Sequence, residues 1–293
     1  DRPVIDYLES LRLSLAGAAE KVTLRMLLSH TAGLSRDVTW WGSRDFDALG
    51  KFVQEDLPSI PMFAPPGILW SYSNSGICIA ARVAEVVTGN CYSELMSELV
   101  FGPLEMTRST FDLSIASTYP FAQSHRIDLE GNISIDHRQP DAAAFSSSGG
   151  VFTTANDLAR YLIMHMNHGR FGESTVLSKD SVFSMHTPAV SRCTPGGDGY
   201  GLGFYTGQHR GLPLIWHWGR TLRYGGLIIA LPTEGLGLVL LYNRHTERFD
   251  ADGFAAAAMD VLLGESAPRS APPPGSDHLA ASMGSWCRCT GRY

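Results

Sequence analysis

The sequence lacks a hydrophobic run long enough to cross a bilayer. Its longest apolar runs, residues 227–231 and 238–242, have the length of single strands, whereas a membrane-spanning helix needs about 20 residues. Cysteine is also scarce: the five thiols are an odd number without a Cys-x-x-Cys pair, so we expect neither a disulfide framework nor a zinc site. The 23 basic residues are fewer than the 29 acidic ones and form no stripe, which argues against nucleic acid as a partner.

Motifs for nucleotides and metals are absent as well. The sequence contains no Gly-x-Gly-x-x-Gly, no Walker loop and no His-Glu-x-x-His, so it implies no cofactor and no metal. The ten histidines are dispersed, and the closest pair, His165 and His168, is too small a group for a metal site. With 44% hydrophobic and 18% charged residues, the composition is that of a folded globular chain.

The order of predicted elements indicates an α+β fold. Hydrophobic periodicity predicts helices at residues 3–8, 24–28, 76–88, 91–100, 156–166 and 253–263. Short β-branched or aromatic runs bounded by turn residues predict antiparallel strands at residues 200–205, 214–218, 225–231 and 236–242. Helices in the middle and a strand meander near the end do not form a regular βαβ repeat.

The domain organisation follows from composition. We expect one compact domain over residues 1–264, a proline-rich linker over residues 265–276, and the stub of a C-terminal module at residues 277–293. Because the chain begins with Asp1 and not with Met, we expect further residues before it. We assign neither a compartment nor an oligomeric state from the sequence.

One triplet has the chemistry of an active site. Tyr72, Ser73 and Asn74 follow a proline-glycine turn and immediately precede a predicted helix, so their side chains lie at a loop-to-helix junction. A Gly-x-Ser-x-Gly nucleophile elbow is absent, which weakens an α/β-hydrolase interpretation.

Five segments in order carry a resemblance over most of the chain. They are residues 22–34 (VTLRMLLSHTAGL), 66–76 with its Pro-Gly and YSNSG, 149–160 (GGVFTTANDLAR), 200–204 (YGLGF) and 217–219 (HWG). The chain resembles the serine β-lactamase-related family of class C β-lactamases, penicillin-binding D-Ala-D-Ala carboxypeptidases and esterase relatives. The resemblance implies a β-lactamase/transpeptidase-like fold, in which an antiparallel sheet flanked by helices meets a mostly helical lobe at the active-site cleft.

The resemblance also implies roles for particular residues. Tyr72 matches the tyrosine that helps activate the nucleophilic serine and protonates the leaving group, and Asn74 matches the asparagine that binds the substrate amide and the catalytic lysine. His217 and Gly219 match the Lys-Thr-Gly strand, which many relatives write as His-x-Gly. The backbone N–H of Arg220 would then supply half of an oxyanion hole.

Further residues near these motifs are weaker candidates. Trp218 is expected to line a substrate pocket, together with Trp70 and Trp216. The tripeptide at residues 209–211 has the same His-x-Gly form, but we prefer His217 because it lies on the strand that leads into the next predicted pair. We interpret the turn at His30 as scaffold.

The family's first motif, Ser-x-x-Lys, does not occur. The chain has only three lysines, and the residues three positions before them are Ala18, Ala48 and Val176. Arg223 and Glu105 also stand where relatives usually have glycine. Either the sequence is a piece of a longer enzyme that is cut before its nucleophile, which we favour, or it is a degenerate relative that keeps the cleft without the chemistry.

The functional hypothesis is therefore a serine hydrolase domain that, when complete, acylates a serine and hydrolyses an ester, a peptide or a β-lactam. As written, the chain should be inactive, because its serines lack the paired lysine. A neutral histidine in place of the family's lysine shifts the expectation from β-lactams toward esters or peptides. The alternatives are a non-catalytic protein that binds a peptide or small molecule, and a Ser-His-Asp hydrolase that uses one of the serines at 146–148.

Overall fold

A computed structural model describes residues 1–35, 42–128, 130–139, 142–194, 197–221, 224–244 and 250–264. The expected linker (265–276), the expected stub (277–293) and Arg223 lie outside the described residues. Within them, no helix is both long and apolar enough to span a bilayer.

Nine α-helices occur among the described residues. They are α1 Leu24–Leu28, α2 Ala48–Lys51, α3 Asn74–Thr88, α4 Tyr92–Met96, α5 Leu113–Ala116, α6 Ser146–Gly149, α7 Ala155–Met166, α8 Lys179–His186 and α9 Ala251–Leu262. Two of them continue directly into π-helical turns, Phe52–Asp56 after α2 and Ser97–Phe101 after α4. Short 3-10 turns occur at Val4–Asp6, Leu57–Ser59 and Ala143–Phe145.

The described strands form one large antiparallel sheet and two hairpins. The hairpins pair β1 Ser124–Ile127 with β2 Ile133–Asp136, and β3 Arg170–Phe171 with β4 Ser174–Thr175. The sheet has the order β10-β9-β8-β7-β6-β5. Its strands are β5 Val190–Ser191, β6 Gly199–Tyr200, β7 Tyr205–His209, β8 Leu212–Thr221, β9 Tyr224–Leu231 and β10 Leu236–Tyr242. Helices together with a strand meander confirm the α+β prediction.

The helix that carries Asn74 begins two residues earlier than the periodicity predicts. Ser73 is its N-cap, because the Ser73 hydroxyl accepts a hydrogen bond of 3.1 Å from the Gly76 N–H. The helix ends where predicted, at Gly89, which adopts the left-handed conformation with φ of 80°. The early start places Asn74 in the first helical turn.

Two other predicted helices differ from the structure. The one at residues 91–100 is α-helical only over Tyr92–Met96 and continues as a π-helical turn. The one at residues 3–8 is a single 3-10 turn at Val4–Asp6. The short helix at Leu24–Leu28 is confirmed with its cap, since the Thr23 hydroxyl accepts from the Met26 N–H at 3.2 Å.

The prediction of one strand over residues 200–205 is wrong. Tyr200 ends β6 and Tyr205 begins β7, and the two residues are partners across an antiparallel pair. The chain reverses between them because the Gly201 N–H donates to the Phe204 carbonyl at 2.8 Å and Gly203 takes a φ of 84°. Its glycines make this turn possible, although the flanking aromatics resemble a strand in the sequence.

Buried side chains form separate clusters in the helical and sheet regions. The helical cluster joins α1 to α3 through Leu27, Leu34, Cys78 and Ile79, all at most 1% exposed. On the sheet, α9 packs its buried residues against the apolar face of β9, in a cluster of Leu227, Ile229, Leu231, Ala255 and Met259. A cleft between the two regions is lined by residues of both.

Candidate active site

A large cleft lies between the helical residues and the end of the main sheet. Its volume is about 2520 Å³. Tyr72 and Asn74 line it from the helical side, whereas His217, Gly219 and Arg220 line it from strand β8. Trp218 lines it as well. The structure therefore brings all six predicted site residues to one cavity, although residues 74 and 217 are far apart along the chain.

One backbone and one side-chain hydrogen bond fix the segment that carries Tyr72. The Ser71 N–H donates to the His30 carbonyl at 2.8 Å, and the Ser73 hydroxyl donates to the Ser35 carbonyl at 2.8 Å. Both carbonyls belong to the turn that follows α1. This loop is therefore held on each side of Tyr72 by the segment at residues 30–35.

Strand β8 leaves one of its edges uncovered beside the cleft. Strand β7 pairs with it only as far as Trp216 opposite Tyr205, yet β8 continues to Thr221. In the described part of the chain, residues 217–221 thus have strand β9 on one side and no strand on the other. Gly219 is exposed there, and a Cβ added to it would meet nothing within 4 Å. An extended substrate can pair with such an edge.

Tyr72 and His217 face each other in this cleft. Their ring centroids are 6.1 Å apart and the ring planes are inclined by 45°. Asn74, one helical position beyond the Ser73 cap, lines the same wall. The geometry brings together the predicted residues, and their catalytic roles stay a prediction.

A buried chain of hydrogen bonds lies behind His217. Its Nε2 is 3.1 Å from the hydroxyl of Tyr200, and that hydroxyl is 3.1 Å from Nε2 of His30. The His30 Nδ1 accepts from the backbone N–H of Ser73 at 3.1 Å. His30 is 2% exposed and Tyr200 is 1% exposed. The chain thereby joins the tyrosine-asparagine loop to the histidine strand.

These buried groups are held in their neutral forms. Burial, with a smaller contribution from His217, lowers the pKa of His30 to about 3. Burial also lowers the pKa of His217 to about 4, against the opposing effect of a hydrogen bond to the Trp218 backbone. Burial raises the pKa of the Tyr200 phenol well above its ordinary value. Both imidazoles are therefore uncharged at neutral pH.

Permanent positive charge in the cleft comes from arginines. The Arg192 guanidinium contacts the rings of Trp70 and Tyr205, with its central carbon 4.8 and 4.5 Å from their centroids. The guanidinium carbon of Arg220 lies 5.2 Å from the Trp218 ring. Trp70 and Trp218 line the cleft as expected. Trp216 instead stacks on Tyr205, with the centroids 5.5 Å apart.

The structure distinguishes the two His-x-Gly tripeptides. His209 and Arg210 both bind the carboxylate of Asp260 on α9, at 2.7 and 2.6 Å, and neither lines the cleft. His217 does line it. The tripeptide at residues 209–211 thus anchors the last described helix.

The serines at 146–148 do not show the arrangement of a Ser-His-Asp triad. Ser147 and Ser148 line the cleft, but Ser148 donates to the Phe145 carbonyl at 3.1 Å and the Ser147 hydroxyl is buried without a hydrogen-bond partner. No histidine among the described residues is hydrogen-bonded to any of the three. A serine without an adjacent base is a weak nucleophile.

Sequence reasoning missed His30 and Tyr200 as site residues. The sequence alone favours a scaffold role for His30 and assigns no role to Tyr200. Both lie in segments that carry the family resemblance, which was the available signal. His30 also has a φ of 58°, a left-handed conformation that is uncommon outside glycine and often occurs at functional sites. The described residues contain no group of three or more side chains able to hold a metal.

Glu105 shows how the chain accommodates one departure from the family pattern. It takes the left-handed conformation itself, with a φ of 52°. Arg160 donates to its carbonyl at 3.0 Å and to its carboxylate at 2.7 Å. The turn therefore forms without the glycine that relatives usually have.

Comparison with known proteins identifies the family and the fold. The Beta-lactamase family matches residues 1–261. Penicillin-binding protein 4 of Amycolatopsis lactamdurans is 27% identical over 274 residues, which cover 91% of this chain and 70% of that protein. The octameric penicillin-binding protein homologue from Pyrococcus abyssi is 25% identical, with a TM-score of 0.76 over 93% of this chain and 62% of its own.

A more distant structure shows the same fold. A class C beta lactamase is 17% identical, with a TM-score of 0.67 over 90% of this chain and 76% of its own. The chain spans about half the length of several other curated relatives that it matches. Its fold is that of the β-lactamases and transpeptidases, and the chain belongs to the beta-lactamase family of serine hydrolases.

Proposed function

We propose that this chain supplies the acid–base residue and the substrate-binding strand of a serine acyl-transfer site. The complete site would hydrolyse an ester, a peptide or a β-lactam. The observation that carries the proposal is the position of the Tyr72 ring, 6.1 Å from His217 and beside the uncovered edge of strand β8. The nucleophile, in a Ser-x-x-Lys segment, is not among the residues of this chain.

In the proposed reaction, Tyr72 moves a proton between the serine and the leaving group. Its phenolate takes the proton of the serine hydroxyl as the oxygen attacks the carbonyl carbon. The same proton then goes to the leaving nitrogen or oxygen as the carbon–nitrogen or carbon–oxygen bond breaks. Water releases the acyl group in the reverse sequence, which restores the serine and the phenolate.

A phenol needs a nearby cation to act as a base at neutral pH. His30 and His217 adjoin Tyr72, but both are neutral, so they do not supply that charge. The lysine of a Ser-x-x-Lys segment would supply it. This is why we expect the chain as written to be inactive and the Ser-x-x-Lys segment to be required.

The cleft has room for that segment as well as for a substrate. A three-turn helix of about 10 Å diameter occupies roughly 1300 Å³, and the cleft measures about 2520 Å³. Small-molecule sites are usually of about 300–1,000 Å³. The Trp70 indole N–H and the Ser147 hydroxyl, both cleft-lining, are buried without a partner in the described structure, so polar groups are available to a packed helix.

The backbone of β8 can stabilise the negative charge that develops on the substrate's carbonyl oxygen during such a reaction. The Arg220 N–H follows Gly219 on the uncovered strand and would serve as one oxyanion donor. Because Gly219 has no side chain, a substrate can approach this backbone closely. Arg192 and Arg220 add positive charge, so a substrate that carries a carboxylate remains compatible with a neutral His217.

A second candidate function is a binding protein that uses the same cleft without chemistry. The absence of Ser-x-x-Lys from this sequence is the observation that favours it. Such a protein would hold a peptide or a small molecule along β8.

A covalent-probe experiment separates these functions. The chain as sequenced, and a form that carries the residues encoded before Asp1, are incubated with a fluorescent penicillin and with a fluorophosphonate. We expect only the extended form to be labelled. In that form, Tyr72→Phe should slow labelling by about 100-fold or more, the usual effect of removing a general base. Tyr119→Phe, on an exposed ring outside the cleft, is the matched control and should label normally.

The other outcomes contradict the proposal in distinct ways. Labelling of neither form, with retention of a ligand, supports the binding protein. Labelling of the short form would mean that another serine, such as Ser147 or Ser148, is the nucleophile. Normal labelling of Tyr72→Phe would remove the role proposed for the phenol.

A further inference from the structure

We propose that His30 and Tyr200 are positioning residues that hold neutral His217 in one tautomer, with its proton on Nδ1 and its Nε2 accepting from the Tyr200 hydroxyl. The hydrogen-bond relay runs from the Ser73 N–H through His30 and Tyr200 to His217, and its direction follows from these three contacts between groups that are neutral in the fold. Its importance for hydrolysis rests on the proposed function.

The direction of the first hydrogen bond is fixed by the backbone. The Ser73 amide can only donate, so the His30 Nδ1, 3.1 Å away, must carry a lone pair. A neutral imidazole with a bare Nδ1 has its proton on Nε2. His30 therefore donates from Nε2.

The second hydrogen bond, from His30 to Tyr200, determines which way the phenol proton points. Nε2 of His30 lies 3.1 Å from the Tyr200 hydroxyl oxygen, which must accept. The single phenol proton then points elsewhere. Nε2 of His217, also 3.1 Å away, is the acceptor that the described structure offers. The phenol thus donates to His217.

The third residue completes the relay. A neutral His217 that accepts at Nε2 has its proton on Nδ1. A hydrogen bond to the Trp218 backbone raises the pKa of His217, as expected where an imidazole N–H donates to a carbonyl. The tautomer of His217 is set by its contact with the Tyr200 hydroxyl, whose other contact is with His30.

Packing prevents the relay from rearranging. The rings of Tyr72, Tyr200 and Tyr205 face His217 with centroid distances of 6.1, 6.3 and 5.4 Å. Tyr72 also packs on His30 at 4.2 Å. Reversing one hydrogen bond would leave another buried polar group unsatisfied, which is costly away from water.

The relay gives the two halves of the site a common geometry. It begins at Ser73, the residue between Tyr72 and Asn74, and ends at His217 on the substrate strand. A shift of the loop is therefore transmitted to the imidazole. The fixed tautomer also means that His217 presents an uncharged face to a bound substrate.

The tautomer of His217 can be measured directly on the chain as sequenced. Long-range proton–nitrogen NMR at pH 7.5 distinguishes a protonated from a bare imidazole nitrogen. We expect a single His217 tautomer with a protonated Nδ1, and a His30 with a protonated Nε2. No ligand or hydrolysis is needed for this readout.

Two variants test whether the neighbours impose that tautomer. Tyr200→Phe removes the donor to His217. His30→Asn leaves the phenol free to turn and accept from His217, and asparagine tolerates the left-handed backbone at this position. Each variant should reduce the preference for the Nδ1 tautomer by about tenfold, the effect of one buried hydrogen bond. Tyr161→Phe, at a partly buried tyrosine that packs against His165, is the control and should leave His217 unchanged.

A loss of the Nδ1 preference in both variants would support the proposed role of His30 and Tyr200. An unchanged tautomer in folded Tyr200→Phe and His30→Asn, or a protonated Nε2 on His217 in the unmodified chain, would overturn it. If Tyr200→Phe does not fold, His30→Asn gives the answer. Failure of probe labelling in the extended form would reject the proposed hydrolase and leave this measurement unaffected.

Discussion

Gly219 and Gly225 lie on adjacent strands beside the cleft, yet a side chain at each position meets different surroundings. Gly219 pairs with Gly226, and Arg220 pairs with Gly225. A Cβ at Gly219 points into open space, whereas a Cβ at Gly225 collides with the ring of Tyr242. The fold therefore requires glycine at position 225, whereas at position 219 it leaves space for a side chain.

We predict opposite effects of alanine at these positions on stability. Gly219→Ala should increase the free energy of unfolding by about 0.5–1 kcal/mol, because it restricts the unfolded chain and clashes with nothing. Gly225→Ala should decrease it by about 1–3 kcal/mol, because the Tyr242 ring must move. Urea unfolding followed by tryptophan fluorescence measures both.

The Gly219→Ala variant also distinguishes an effect on stability from an effect on substrate binding. If the uncovered edge of β8 receives substrate, Gly219→Ala should weaken ligand binding or probe labelling although it stabilises the fold. A stabilised Gly219→Ala protein with full binding would show that the substrate does not lie on this edge.

Which site residues a sequence can reveal depends on how local their contacts are. Tyr72 and Asn74 stand at a helix start, and His217 on a strand, so short motifs were enough to select them. His30 and Tyr200 act through each other across 170 residues. Their individual residue types are compatible with a packed core, and only the folded chain shows that they meet between the two motifs.

At the scale of elements, helix α9 is attached to the sheet by polar as well as apolar contacts. Asp260 is 5% exposed and accepts hydrogen bonds from both His209 and Arg210 at the β7–β8 turn. The Arg210 guanidinium holds the pKa of this carboxyl at about 2, below its ordinary value. Protonation of Asp260 would therefore weaken the attachment of α9.

We predict that Asp260→Asn lowers the melting temperature at neutral pH by several degrees. A carboxyl with a depressed pKa contributes its full stability above its unfolded pKa of about 4 and loses it as the pH falls toward 2. The acid-dependent loss between pH 4 and 2 should thus be smaller in the variant. Calorimetry across this range measures it. Glu234→Gln, at an exposed site in the turn between β9 and β10, is the control. Equal acid profiles for Asp260→Asn and the unmodified chain would contradict the role of the carboxylate.

Helices whose hydrophobic pattern repeats over several turns could be predicted from the sequence. Tight turns and changes of helical hydrogen-bond register could not. The helices at Asn74–Thr88 and Ala155–Met166 repeat over three or more turns, so small errors fall only at their ends. The split between β6 and β7 depends on two glycines inside an aromatic run. The π-helical turn at Ser97–Phe101 changes the hydrogen-bond register while the residues remain those of a helix.

At the scale of the whole molecule, four buried or half-buried histidines are held neutral in the folded state. Burial lowers the pKa of His30 to about 3 and that of His217 to about 4. A second pair, His165 and His186, lies in contact at 3.2 Å, and burial lowers the pKa of both. The first pair lies beside the cleft and the second joins α7 to α8. Protonation of the histidines at low pH would therefore destabilise both regions.

We predict that the protein loses stability between pH 6.5 and 5. Unfolded histidines bind protons below about pH 6.5, and the folded ones stay neutral, so the unfolded state is favoured as the pH falls. Each histidine should cost about 1–2 kcal/mol at pH 5, or about 4–8 kcal/mol for four. Urea unfolding at pH 7.5, 6.5, 5.5 and 5.0 measures this loss.

Two substitutions show whether these histidines cause the loss. His30→Asn removes one of the four groups and should reduce the decrease at pH 5 by about a quarter. His137→Asn, on an exposed histidine, should leave the decrease unchanged. Asp260 does not interfere, because the pKa of its carboxyl places its effect below pH 4. A free energy of unfolding that is constant from pH 7.5 to 5.0 would mean that the buried imidazoles are protonated in the folded protein, and the neutral relay from Ser73 to His217 would then be wrong.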